Sequence, residues 1–231
     1  MNSPGEHRHA ASSERGRFVT FEGGEGGGKT TQLLRLARRL GSAGIGVTTT
    51  REPGGTPAAE AIRKFLLSGA ARGLGPEAET LLFAAARADH LDKLIRPALT
   101  QGTWVLCDRF TDSTRAYQGA AGVDPDLIEA LERIAVWPTR PDLTLILDLP
   151  VEIGLVRAAA RAAAADILPD RFERDAVAEH QRRREIFLEI AAAEPDRCIV
   201  VDASRPEAEV AEIVWRSVRE RLQVAEELHN G

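Results

Sequence analysis

Asparagine is almost missing from this chain: it occurs only at Asn2 and Asn230. No Asn-Lys-x-Asp guanine reader can be written from two terminal asparagines, so a GTPase switch is excluded. Cysteine is equally scarce, with Cys107 and Cys198 far apart and no C-x-x-C. That excludes a disulfide framework and a thiolate zinc site, and a reducing compartment, the cytoplasm, is the expected setting. The five histidines (His7, His9, His90, His180 and His229) fall at no metal-ligand spacing. Basic charge is not in excess: the formal net charge is −5, which argues against a nucleic-acid partner. No apolar run approaches the ~18 residues needed to cross a bilayer, so no membrane partner is expected. There is no internal repeat. Residues 1–16 are polar and lack the apolar stretch of a secretion signal, so they read as a flexible tail ahead of a single domain at 17–231.

What is present is enough for a large core. The chain has 231 residues, 43% hydrophobic and 28% charged, ordinary for one α/β domain. Gly23-Gly24-Glu25-Gly26-Gly27-Gly28-Lys29-Thr30 is a complete G-x-x-x-x-G-K-[ST] phosphate loop. Phe18-Val19-Thr20-Phe21-Glu22 ahead of it is β-prone. Behind it Leu33, Leu36, Ala37 and Leu40 recur at helical spacing, with Gly41 as a stop. Strand, glycine loop and helix are the context that the pattern requires. Backbone N–H groups and the helix N-terminus would cradle phosphate. Lys29 would reach the β- and γ-phosphates of a nucleoside triphosphate, and the Thr30 hydroxyl would ligate Mg²⁺.

The remainder alternates β-like and helical stretches, which predicts a parallel sheet with helices on both faces. Four further strands are expected at 45–50, 103–107, 143–147 and 198–201. Helices are expected near 57–67, 77–96, 124–136, 151–165, 171–193 and 206–226. Residues 157–170 are alanine-rich and end in Ile-Leu-Pro-Asp, which suits helix plus turn or a mobile flap. Ligands in such sheets bind beyond the carboxyl ends of the strands, and the loops there are rich in polar residues. Asp108 ends the third strand facing the phosphate loop, where it could hold Mg²⁺ directly or through water; a strand-end ion pair with Arg109 is the plainer reading. On the 77–96 helix, Leu81, Ala85, Ala88 and Ile95 are predicted to form the buried stripe, which turns Phe83 and Arg87 to another face together. An aromatic plate beside a guanidinium suits a flat, carbonyl-bearing base. A helix–helix contact through Phe83, with Arg87 in solvent, fits the spacing equally.

With these pieces assembled, the sequence resembles the thymidylate kinase family. The residues that carry the resemblance run in family order over roughly 17–215: Glu22 through Thr31, Thr50-Arg51-Glu52-Pro53-Gly54-Gly55-Thr56, Phe83-x-x-x-Arg87, Asp108-Arg109-Phe110, Ser113 to Gly119, Leu147-Asp148-Leu149-Pro150 and Asp170-Arg171-Phe172-Glu173. The resemblance implies a P-loop nucleoside monophosphate kinase fold with a five-stranded parallel sheet and a short mobile lid near 157–171. It implies transfer of a phosphoryl group from ATP to dTMP, giving dTDP, with Mg²⁺ as cofactor and a homodimer as the assembly. A kinase for another nucleoside monophosphate or deoxynucleoside is the rival reading.

Residue roles follow from the same resemblance. Gly23 to Thr30 would bind ATP, with metal at Thr30 and Asp108. Phe83 would stack on thymine and Arg87 would donate to its carbonyl. Thr114 and Gln118 would line the base, and Tyr117 would lie beneath the deoxyribose, where bulk disfavours a 2′-hydroxyl. Arg109 would grip the acceptor phosphate and reach towards the donor. Glu52, Arg63 and Ser113 fall at acceptor positions, with Arg51 a weaker candidate. Adenine would lie between the flap and Asp202-Ala203-Ser204-Arg205. Family members with an arginine in the phosphate loop contrast with a bacterial class whose flap supplies it. Here that loop holds Glu25 instead, which would act near Mg²⁺ and the sugar 3′-hydroxyl and not as a general base. The lid is longer than usual for that bacterial class and lacks its arginine-glycine pair, so Arg157, Arg161 and Arg171 are all candidates for the γ-phosphate. Arg157 and Arg161 are the best-placed pair, being four apart on one helix side, and Arg161 is nearer the middle of the lid. A solvated arginine face is the plainer reading of that pair.

Overall fold

In a computed structural model of the protein, residues 15–165, 172, 173 and 175–224 are described. The tail at 1–14, Asp170 and Arg171 lie outside them. Five parallel strands form one sheet: β1 (Phe18–Glu22), β2 (Val47–Arg51), β3 (Trp104–Asp108), β4 (Leu143–Asp148) and β5 (Cys198–Asp202). Their order is β2-β3-β1-β4-β5, so β1 sits at the centre, flanked by β3 through Phe18–Val105 and by β4 through Val19–Leu143. A central parallel strand is covered on both faces. Accordingly, all five residues of β1 are buried.

Helices cover the two faces. Leu33, Leu36 and Leu40 of α1 (Lys29–Ser42) and Val210, Val214 and Val218 of α9 (Glu207–Leu222) pack with Val19, Phe21, Leu143 and Leu145 on one face. On the other, Phe18, Val105 and Cys107 pack against Leu91, Ile95, Leu99 and Phe110, with the Phe18 and Phe110 rings edge-to-face at 5.0 Å. Each fully buried side chain of this size is worth about 1.5–3 kcal/mol of transfer free energy. The other helices are α2 (Pro57–Leu67), α3 (Pro76–His90), α4 (Arg96–Thr100), α5 (Thr111–Ala120), α6 (Pro125–Val136), α7 (Val151–Ala165) and α8 (Val177–Ala193).

Several boundaries differ from the sequence expectation for physical reasons. Helix α1 runs through Gly41 and stops at Gly44, whose φ of 75° is the left-handed closure that glycine supplies. The expected 77–96 helix becomes α3, a widened turn at Leu91–Ile95, and α4. Pro97 has no N–H to donate back into that turn. Of the helix expected over 171–193, Phe172 and Glu173 form a turn and α8 begins at Val177. All five strands arise where expected, each within two residues, and every one ends on a charged residue: Glu22, Arg51, Asp108, Asp148 and Asp202. That charged carboxyl edge is the floor of the site.

Candidate active site

The phosphate loop is shaped by what lies under it. Gly26 has φ 68°, and a Cβ there would stand 2.0 Å from the Gly154 carbonyl oxygen of α7. Only glycine satisfies both the left-handed backbone and that approach. Gly28, at φ 81°, opens α1 and so aims the helix N-terminus into the loop.

Lys29 folds back across the loop. Its Nζ donates to the Gly23 carbonyl at 3.1 Å and the Gly24 carbonyl at 2.7 Å. Burial, followed by the Arg109 charge, lowers its pKa to about 8. Next to it, the Thr30 hydroxyl donates to the Asp108 carboxylate across the mouth of the loop. A hydroxyl and a carboxylate in contact are hard oxygen donors that suit a divalent cation. Among the described residues no three acidic, imidazole or thiol side chains converge on one point, so such an ion would rely on phosphate and water oxygens for most of its shell.

Arg109 joins this loop to the other half of the crevice. It follows β3 with a φ of 70°, a left-handed conformation that costs a non-glycine residue about 1–3 kcal/mol. The turn is held by the Arg109 N–H to the Phe21 carbonyl at 2.9 Å. Its guanidinium donates to the Gly23 carbonyl at 3.2 Å, to the Glu25 carboxylate at 2.7 Å and to Ser113 Oγ at 3.1 Å. The Tyr117 hydroxyl also donates to Glu25, at 2.5 Å. Burial works to raise the Glu25 pKa, but the Arg109 and Lys29 charges and the tyrosine hydroxyl overcome it and hold the group at about 2. Glu25 is thus a fixed anion, unsuited to accepting a proton near neutral pH.

Glu22, not assigned a role from the sequence, proves to be the hub behind Arg109. It is fully buried and accepts from the Phe110 N–H at 2.7 Å and from Ser113 Oγ at 2.6 Å. Burial, with Asp112 adding, raises its pKa to about 7. The available signal was a lone acid closing an apolar strand. His90 is a second such residue: fully buried, its Nδ1 lies 3.0 Å from Glu52 and its Nε2 lies 2.7 Å from Thr50 Oγ1.

The structure brings most of the sequence candidates to one cavity of about 850 Å³, lined by Glu25 to Thr30, Glu52, Arg63, Phe83, Arg87, Asp108, Arg109, Ser113, Thr114, Tyr117, Gln118 and Arg161. Gly23 and Gly24 stand at its edge through their carbonyls to Lys29. Phe83 and Arg87 do share a face, and the expected buried stripe holds only at its C-terminal end, where Ile95 is buried and Ala88 packs against the core. Leu81 is 51% exposed and Ala85 is exposed, whereas Arg87 is 5% exposed. Burial of that polar face follows from its partners: Arg87 Nε donates to Glu52 at 2.6 Å, and Nη2 to the Phe110 carbonyl at 3.1 Å and Thr114 Oγ1 at 3.0 Å. A solvated Arg87 is thereby ruled out. Arg63 donates to the Pro53 carbonyl at 2.8 Å, while Arg51, which lines the same cavity, pairs with Glu60.

The two described lid arginines diverge. Arg157 donates to the Ala203 carbonyl at 2.8 Å, in the loop after β5. Arg161 lines the large cavity and pairs with Glu173.

Comparison with known proteins matches this arrangement to one family. A family model described as thymidylate kinase matches residues 21–214. A thymidylate kinase of Bradyrhizobium diazoefficiens is 58% identical over 212 residues, 91% of this chain and 92% of that protein. One of Rhodopseudomonas palustris is 56% identical, with 91% of each chain covered. The crystal structure of a thymidylate kinase from Ehrlichia chaffeensis superposes with a TM-score of 0.70 at 36% identity, covering 88% of this chain and 99% of that one.

Proposed function

The chain belongs to the thymidylate kinase family and phosphorylates dTMP to dTDP as an ATP-dependent enzyme, and from that premise we propose how its own residues do so. ATP lays its phosphates along Gly23 to Thr30. Lys29 exchanges its two loop carbonyls for β- and γ-phosphate oxygens. Thr30 and Asp108 would hold the divalent cation, Mg²⁺ on the family resemblance, whose charge would neutralise the phosphate oxygens. dTMP enters between α3 and α5, with thymine on Phe83, Arg87 and Thr114 lining its edge, Gln118 beside it, and the sugar over Tyr117. Glu52 serves from behind, fixing Arg87 and His90, and Arg63 and Ser113 close the acceptor-phosphate end.

The observation that carries this reading is the Arg109 junction. One guanidinium touches the donor loop at Gly23 and Glu25 and the acceptor side at Ser113. An acceptor phosphate oxygen needs no base; it attacks the γ-phosphorus as the bond to the β–γ bridging oxygen breaks. Catalysis is then alignment and charge neutralisation, which a cation placed between the two phosphates supplies. A coupled ADP-release assay across the natural nucleoside monophosphates tests the reading. dTMP is expected to lead, dUMP to trail and the purine monophosphates to be inactive; equal rates on AMP or CMP would overturn it.

Two further expectations follow. Phe83→Leu keeps much of the packing with Leu66 and Ala71 but removes the aromatic face. It should cost about 1–3 kcal/mol of dTMP affinity, the scale of base–aromatic stacking, with ATP affinity unchanged by calorimetry. The second concerns protons. With Lys29 near pKa 8 in the free enzyme, a bound polyphosphate favours its charged form. Binding of ATP at pH 8 should therefore take up roughly half a proton, and ATP affinity should fall as pH rises through that value. Calorimetry in buffers of different ionisation enthalpy measures the uptake, and release in place of uptake would contradict the placement of Lys29.

The homodimer is also part of this proposal. Phe65 of α2, Leu81 of α3 and Ile134 of α6 are 41%, 51% and 78% exposed, on helices of which α2 packs on α3 and α3 on α6, and exposed apolar side chains of this size suit pairing with a second copy. Sedimentation equilibrium reads it directly.

A further inference from the structure

Tyr117 is held from more than one side. Arg183, on α8, places its guanidinium carbon 4.5 Å from the centre of the Tyr117 ring, and that of Arg109 lies 4.9 Å from the same ring. Arg183 is 6% exposed and its Nη2 donates to Asp175 at 2.5 Å. Its Nε and Nη1 find no acceptor among the described residues, and Nε2 of the neighbouring buried His180 finds no partner either. A buried guanidinium short of acceptors is unfavourable. Space-filling does not account for it, since a methionine would fill the same volume without that penalty.

The contacts of Arg183 run in two directions. One is the ring of Tyr117. The other is the segment between α7 and α8, from which the lid returns: Asp175 pairs with Arg183, and the Phe172 ring lies 5.7 Å from its guanidinium carbon. Phe172 in turn meets Tyr117 edge-on at 5.3 Å. A cavity of about 20 Å³ has His180, Arg183, Glu25 and Tyr117 among its lining residues. That volume admits one water, and a water there would accept from Arg183 and donate towards Glu25, the carboxylate that already holds the Tyr117 hydroxyl.

We propose that Arg183 is a positioning residue for the sugar end of the acceptor site, fixing Tyr117 in place and tying that ring to the lid's return segment through Asp175 and Phe172. The proposal rests on the assignment of Tyr117 to the deoxyribose. Discrimination against a 2′-hydroxyl then depends on how rigidly the ring is held, and Arg183 sets that rigidity.

The test compares kcat and KM for dTMP and for its ribonucleotide counterpart in Arg183→Met, Arg183→Lys and Asp175→Asn. Arg183→Met keeps the volume, while Arg183→Lys keeps the charge but loses the planar face that stacks. Both should raise KM for dTMP about fivefold, less than the full loss of a desolvated cation–π contact because the Arg109 contact to the same ring remains, and shrink the deoxy-over-ribo preference in kcat/KM to a similar degree. KM for ATP should not move, and Asp175→Asn should act in the same direction more weakly. A purely structural Arg183 would lower the melting temperature and leave the preference intact, and that result overturns the proposal. If Arg183→Met does not fold, Arg183→Lys and Asp175→Asn carry the test by the same measurements. Tyr117→Leu separates the two layers. Preference unchanged in Tyr117→Leu removes the sugar-face assignment and the proposal with it. Preference lost there but kept in the Arg183 variants removes the proposal alone.

Discussion

Lys29→Met is expected to lower turnover by about 10³-fold or more while dTMP still binds with its normal affinity. Lys29 Nζ reaches only the Gly23 and Gly24 carbonyls, on the donor side, and makes no hydrogen bond to Glu52, Arg87 or Thr114. Its charge is spent on the oxygens of the group in transit, where a fixed cation in a water-poor site is worth far more than in solution. The same variant should be no less stable than the parent. A lysine whose folded pKa lies near 8, against an ordinary 10.5, is charged at a penalty in the folded state. That penalty is present in full below pH 8 and vanishes as pH rises past the unfolded value. Methionine keeps the stem and removes the penalty, so the melting temperature at pH 7 should hold or rise, as happens when a functional charge is traded for stability. Loss of dTMP binding in this variant, by calorimetry, would place Lys29 in the acceptor site and overturn the division of roles.

The parts of the site readable from sequence are those whose chemistry is local. Gly26, Gly28, Lys29 and Thr30 act within one turn of chain, and their spacing alone specifies the loop. The sheet was likewise legible, because a strand buried on both faces is a short apolar run whatever lies across from it. Helix α3 shows the limit. Its inward face carries Phe83, Arg87 and His90 while Leu81 points outward, so the start of the expected apolar stripe points the wrong way and only Ala88 and Ile95 pack inward. Burying Arg87 and His90 is feasible only because Glu52 reaches them from the loop after β2, a pairing that periodicity cannot register. Glu22 was missed for the same reason: its worth lies in Ser113 and Phe110, brought to it by the pairing of β1 with β3. Arg183 is invisible in sequence among the other arginines of α8, Arg182 and Arg184, and only its burial against Tyr117 separates it from them.

Arg161→Ala is expected to lower kcat at least tenfold with little change in dTMP affinity. The phosphate loop offers Lys29 but no arginine, and Glu25 stands there as a fixed anion at pKa about 2, which adds negative charge where the transferring group already accumulates it. Arg109 is committed to Gly23 and Glu25 on the donor loop and to Ser113 on the acceptor side. A further cation must therefore come from outside the sheet edge, and a delivered arginine can be worth about 10³-fold or more. Arg157 is engaged with the Ala203 carbonyl in the loop where adenine is proposed to lie, so Arg157→Ala should act mainly on KM for ATP. Arg161 is 61% exposed at its side chain, borders the large cavity and, among the described residues, pairs with Glu173 across the lid. With its own side chain largely in solvent, Arg161 can exchange this partner for phosphate, to which a guanidinium binds with two parallel hydrogen bonds. The effect should be confined to the transition state, so kcat and kcat/KM fall together. Pre-steady-state turnover of Arg161→Ala beside Arg157→Ala and Arg171→Ala decides among the three. Unaltered kcat in Arg161→Ala moves the role to whichever of the others loses it, and unaltered kcat in all three excludes a lid-delivered cation altogether.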